Sequence, residues 1–144
     1  MTVNVYTITS AKSPKVHDAR IIYTLETMTS KGPADVTREE RVEATANEAA
    51  LLAIVRALEH ITMSCELHIY TESRWVASGF GWMAGWKEKD WKTKKGKDVA
   101  YKETWQQLDA LLAGKKITVH CKEEHSFRKW MLAEVSRKEG KRYV

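Results

Sequence analysis

The chain has 144 residues, the size of one domain, and 43% of them are hydrophobic, which excludes a disordered tail. No apolar run approaches the ~20 residues of a membrane span, and the polar N-terminus predicts no secretory leader. Twenty-four Lys and Arg against 19 Asp and Glu give a net charge of +5, and the only two cysteines, Cys65 and Cys121, read as reduced thiols of a cytoplasmic protein, with a single bridge left open.

In chain order, Val3 to Thr9 alternates apolar and polar residues and predicts a strand. Ser10 to Asp18, with Pro14, predicts a loop, and Arg20 to Thr29 is β-branched and aromatic enough for a second strand. After a turn at Ser30, Gly32 and Pro33, Val36 to Ala44 predicts a third strand whose charges mark a sheet edge. Thr45 opens the clearest helix: Leu51, Ile54, Val55, Leu58 and Ile61 share one face, and Thr45 with Glu48 fits a capping box. Leu67 to Thr71 predicts a fourth strand. Ser73 to Gly79 and Trp82 to Lys87 read as two short helices, separated by Gly79 and Gly81. Lys92 to Asp98 reads as a loop. Tyr101 to Leu112 predicts a helix stopped by Gly114, Ile117 to Cys121 a fifth strand, and Phe127 to Arg137 a final helix. Early strands followed by alternating helices and strands predict a mixed α/β sheet in a single domain over residues 1–144.

The charge is local. Residues 86–102 hold Lys87, Lys89, Lys92, Lys94, Lys95, Lys97 and Lys102 against Glu88, Asp90 and Asp98, a local +4. The 137–144 tail adds +3 through Arg137, Lys138, Lys141 and Arg142 against Glu139. Such clusters either solvate a surface or attract polyanions by releasing their condensed counterions.

One stretch is specific. Residues 82–93 read WMAGWKEKDWKT and residues 105–111 read WQQLDAL. Together with YTESRWV at 70–76, TAN at 45–47 and ALE at 57–59, this pattern resembles the bacterial ribonuclease H family. That family has a Trp-rich helix, a lysine-rich basic handle and a WQxLD helix at this spacing. The resemblance covers most of residues 1–137 and implies an α/β, five-stranded mixed sheet flanked by helices.

The resemblance also implies a chemistry. The family cuts the RNA strand of an RNA–DNA hybrid with two magnesium ions held by carboxylates, and magnesium demands hard oxygen ligands. Its strand-one aspartate falls on Ile8. Its helix glutamate falls on Ala50 in the ungapped register. Glu48 lies two residues earlier, about 200° around the helix. Its strand-four aspartate falls on Glu72, and its last aspartate falls around Ala133 to Val135, where Glu134 is the carboxylate. Its loop histidine falls on His125. The remnants Glu72 and His125, with Glu48 and Glu134 behind them, make up the candidate catalytic set, and Glu72 is the candidate metal ligand. The candidate nucleic-acid contacts are Thr45, Trp82, Lys87, Lys89, Lys92, Lys94, Lys95 and Lys97. Trp86, Trp91 and Trp105 read as core or packing residues.

The expected function is a ribonuclease H-like binder of RNA–DNA hybrid or duplex, a pseudoenzyme that has lost standard hydrolysis. The alternatives are an active ribonuclease H with an unconventional carboxylate site, or a degenerate fold serving as a protein-interaction subunit. No cofactor is expected, magnesium or manganese entering only with residual activity. Nucleic acid is the expected partner, and no membrane is.

Overall fold

The computed structural model describes residues 1–137. The basic tail expected over 137–144 thus lies outside the described residues, apart from Arg137. Five strands form one sheet: β1 (Thr2–Thr9), β2 (His17–Thr29), β3 (Gly32–Ala44), β4 (Glu66–Thr71) and β5 (Lys116–Cys121). Their spatial order is β3-β2-β1-β4-β5, with β1, β2 and β3 antiparallel and β4 and β5 parallel to β1. The helices are α1 (Ala46–Leu58), α2 (Arg74–Glu88), α3 (Lys102–Leu112) and α4 (Arg128–Ser136). Among the described residues no helix is long and apolar enough to cross a membrane. Both cysteines are free thiols.

β3 is an edge strand, as its charges predict, but it starts at Gly32 rather than Val36. Gly32 takes φ +108°, a conformation that suits glycine, and Pro33 is tolerated because an edge strand need not donate every N–H to a ladder. The main core lies on one face of the sheet, where Leu51, Ile54, Val55 and Leu58 of α1 meet Val3, Val5, Leu67 and Ile69. Only half of the expected capping box forms: the Thr45 hydroxyl accepts from the Glu48 N–H at 3.2 Å.

α2 corrects the two-helix expectation, since it runs unbroken through Gly79 and Gly81. A Cβ at Gly79 would stand 2.2 Å from Cη2 of Trp105 on α3, so this glycine makes room for a buried indole. Packing against Trp105 outweighs the roughly 1 kcal/mol that glycine costs inside a helix. Gly81 faces open space.

The opposite face carries α4, seated on Tyr6, Ile8 and Ile22 through Met131. Arg20, its side chain only 6% exposed, holds the end of that helix. Its Nη2 donates to the carbonyls of Glu134 (2.7 Å) and Arg137 (3.4 Å), and its Nη1 lies 3.5 Å from Glu39 and 3.8 Å from the Glu134 carboxylate. A cation at a helix C-terminus satisfies carbonyls that have no intrahelical donor. Arg20→Met keeps the apolar stem and removes the cap. It should cost about 1.5 kcal/mol, typical of hydrogen bonds from a charged group. Hydrogen exchange should accelerate in α4 ahead of α1. Uniform acceleration would refute the local role.

Candidate functional site

Two concave regions hold most of the candidate residues. The first, a cleft of about 220 Å³, sits where the C-terminal ends of β1 and β4 meet the start of α1. Ile8, Ala50 and Glu72 line it together, with Thr7, Asn47 and Ser73 nearby. The parallel pairing of β1 with β4 brings these ends side by side, and α1 crosses above them.

Glu72 is the carboxylate of this cleft, and it is already engaged. Arg128, the first residue of α4, donates through Nε to Oε2 at 2.9 Å and through Nη2 to Oε1 at 3.0 Å. This is the bidentate fork that suits guanidinium to carboxylate. Arg128 also bonds Glu124, and the two carboxylates, Glu72 foremost, raise its proton affinity beyond the ordinary arginine range.

The other acids lie elsewhere. Glu134 turns toward Arg20 and Arg137. Glu48 borders a separate hollow with Asp98, Tyr101 and Lys102. Glu72, Glu48 and Glu134 therefore do not converge. Among the described residues no three His, Cys, Asp or Glu groups are placed to hold a metal ion together.

His125 stacks on Tyr6 with ring centroids 4.2 Å apart, and its Nδ1 accepts from the Phe127 N–H at 3.2 Å. Burial lowers its pKa, against the opposing pull of Glu72. Tyr6 is itself pushed well above the usual phenol range by burial and by its bond to Glu26. Thr45, besides capping α1, shares a 2.6 Å hydrogen bond with the Tyr101 hydroxyl. Tyr101 adopts φ +58° at the start of α3.

Arg128 is the residue that sequence reading missed. The final-helix residue that reaches Glu72 sits at its first turn, six positions before Glu134. The pair spans 56 residues of chain, and no local pattern announces it.

The second region is an open groove of about 590 Å³ between α2 and the loop that follows it. Trp82, Trp86, Lys89, Lys92, Thr93 and Lys94 line it, and Trp82 is 65% exposed. The loop is built tightly. Asp90 and Trp91 both take left-handed φ values (54° and 59°), which reverses the chain so that the Trp91 N–H reaches the Trp86 carbonyl at 2.7 Å and the indole is buried. Thr93 N–H then donates to the Lys97 carbonyl at 2.7 Å, with Gly96 at φ +80° closing the turn.

Among the lysines, Lys92 pairs with Asp98 and Lys87 with Asp109. The hydrogen bond between them raises the Lys92 pKa and lowers that of Asp98. Lys89, Lys94, Lys95 and Lys97 are exposed and make no ion pair among the described residues. Trp105 and Trp91 lie in the core, with Trp86 packed against it.

Comparison with known proteins adds to this geometry. A profile of the RNase H family matches residues 2–128. A protein of Bradyrhizobium sp. (strain ORS 278) named Ribonuclease H is 42% identical over 83 residues, covering 57% of this chain and 54% of that protein. The chain therefore spans about half the length of such curated relatives. Among solved structures, LC9-RNase H1, described as a type 1 RNase H with the type 2 active-site motif, superposes with a TM-score of 0.66 at 22% identity, over 87% of this chain and 64% of that one. The foamy viral protease-reverse transcriptase, solved in complex with an RNA/DNA hybrid, superposes with a TM-score of 0.62 at 15% identity, over 90% of this chain and 18% of that one. The fold is shared with both.

Proposed function

The chain belongs to the ribonuclease H family, and on that premise we propose that it binds an RNA–DNA hybrid or another nucleic-acid duplex without performing the family's two-metal hydrolysis. The observation that carries this reading is the cleft in which Ile8 and Ala50 face Glu72 while Arg128 clamps the Glu72 carboxylate. Two magnesium ions need several hard oxygen donors in near-octahedral array. Ile8 and Ala50 offer none, and the guanidinium already neutralises Glu72. The donor set does not fit a pair of magnesium ions. Glu48 and Glu134, each turned to other partners or another hollow, give no support to an unconventional carboxylate site.

Binding is a different matter. The groove pairs the exposed Trp82 with lysines on a hydrogen-bonded loop. Lysines neutralise phosphates, and an indole packs on a sugar or base. The foamy viral enzyme of similar fold holds an RNA/DNA hybrid, which favours that ligand class here. Thr45 contributes less than the resemblance implies, because its hydroxyl is engaged by Tyr101 and the Glu48 N–H. The free thiols of Cys65 and Cys121 favour a cytoplasmic setting.

The decisive experiment digests a labelled RNA–DNA hybrid with magnesium or manganese. We expect no cleavage above a protein-free blank, alongside salt-sensitive binding of the same hybrid. Cleavage that is lost in Glu72→Ala would refute the loss of hydrolysis. Absence of binding at ~50 mM salt would refute the nucleic-acid reading and turn attention to a protein-interaction role.

A further inference from the structure

On the same sheet face as α4, β4 and the residues of and beyond β5 carry a chain of four side chains that neither the cleft nor the groove uses. Glu66 Oε2 lies 2.9 Å from His68 Nε2. His68 Nδ1 lies 3.0 Å from His120 Nε2. His120 Nδ1 lies 3.0 Å from Glu123 Oε1. The β4–β5 register sets Tyr70 opposite His120, so His68 and His120 are diagonal neighbours on one face. The Tyr70 ring lies 4.3 Å from the His120 ring at 11°, which fixes its plane. The His68 and His120 side chains are 25% and 18% exposed, so water reaches both.

The hydrogen count of this chain is informative. An ionised carboxylate only accepts, so the outer nitrogens, His68 Nε2 and His120 Nδ1, must both carry N–H. A neutral imidazole has one N–H. The inner nitrogens then bring two lone pairs within 3.0 Å of each other. Such an arrangement calls for a cation between them, either a shared proton or a metal ion.

We propose that His68 Nδ1 and His120 Nε2 form a two-nitrogen site for a late first-row divalent cation with tetragonal preference, Cu2+ above all. Metal-binding histidines characteristically donate their other N–H to a carboxylate, which fixes the tautomer and raises ligand basicity. Glu66 and Glu123 do this for both rings at once. The spacing selects the ion. Bonds of ~2.0 Å to nitrogens 3.0 Å apart enclose an angle of about 95°, near the right angle of a tetragonal ion and short of the tetrahedral angle. Nitrogen and oxygen donors in tetragonal array suit Cu2+ or Ni2+, and Cu2+ heads the affinity order. Water completes the coordination on the exposed side. The bound ion ties the edge strand β5 to β4.

Titration of the full chain with a Cu2+ salt in a non-coordinating buffer tests this. One ion per chain should bind, with an electron paramagnetic resonance pattern of two equatorial nitrogens, and binding should release a proton. His68→Asn and His120→Asn should each abolish that signal. Glu66→Gln and Glu123→Gln, which leave both ligands in place, should weaken binding roughly 10- to 100-fold. Circular dichroism checks that every variant folds. Undiminished binding in the His68→Asn/His120→Asn double variant overturns the proposal. So does the absence of Cu2+ binding by the folded chain, which would mean that the pair holds only a proton.

Discussion

Trp105→Ala should cost about 3–5 kcal/mol, the usual price of truncating a buried aromatic to alanine. Domains of this size have ~5–15 kcal/mol to lose, so the variant should be close to unfolding at 37 °C. The indole is fully buried and lies where α2, α3 and the groove's supporting residues meet. Trp75, Phe80 and Trp86 surround it, with Trp86 5.3 Å away, and Gly79 gives up its side chain to admit it. Its Nε1–H is buried without a hydrogen-bond partner among the described residues. Trp105→Phe should therefore cost clearly less than Trp105→Ala, because it keeps most of the ring and discards an unsatisfied donor. A urea titration followed by circular dichroism measures both through the shift in midpoint. Equal losses would contradict the packing argument. Because Trp86 in turn packs against Trp91 at the root of the loop, folded Trp105→Ala should also bind nucleic acid more weakly.

Removing the four unpaired lysines of the loop after α2 together should reduce hybrid affinity roughly 100-fold at ~50 mM salt. Each phosphate neutralised contributes about 0.9 to the slope of log affinity against log salt, so four contacts predict a slope near −3.6. Between 50 and 200 mM salt the parent chain should lose affinity about 150-fold on that slope. The variant Lys89→Ala/Lys94→Ala/Lys95→Ala/Lys97→Ala should be nearly insensitive to salt. Lys87→Ala and Lys92→Ala should matter less, because Asp109 and Asp98 already hold those ammonium groups. Fluorescence anisotropy at four or five salt concentrations measures the slopes. An unchanged slope in the quadruple variant would remove the loop from the interface.

What the sequence made legible follows from how far each signal reaches. Alternation in Val3 to Thr9 and the apolar face of Leu51, Ile54, Val55 and Leu58 are local patterns, and β1 and α1 lie where they point. The charges of β3 marked an edge because an edge is the one place a strand can carry charge on both faces. The division of α2 failed for a non-local reason. Gly79 breaks helices in general, but here its bareness is what Trp105, 26 residues away, requires. The cleft divides in the same manner. The ungapped run from Thr45 to Glu59 puts Ala50 at the family's helix-glutamate position, and in the structure Ala50 lines the cleft with Glu72. Arg128 lay beyond reach because its meaning comes only from Glu72 across the sheet. The His68 and His120 pair was invisible because it depends on the register of two strands separated by 44 residues.

The distribution of indoles gives the molecule a built-in optical division. Trp75, Trp82, Trp86, Trp91 and Trp105 form one chain of neighbouring rings through α2, its loop and α3, with centroids 5.3–6.3 Å apart. Trp130 stands alone on α4, across the sheet and 48% exposed. Excitation entering any member of the chain migrates among five, so a ligand that quenches Trp82 darkens the whole group. Trp130 keeps its own lifetime. With Trp130→Phe as the reference, the difference in emission follows the docking of α4 separately from events in the groove, and no dye need be attached.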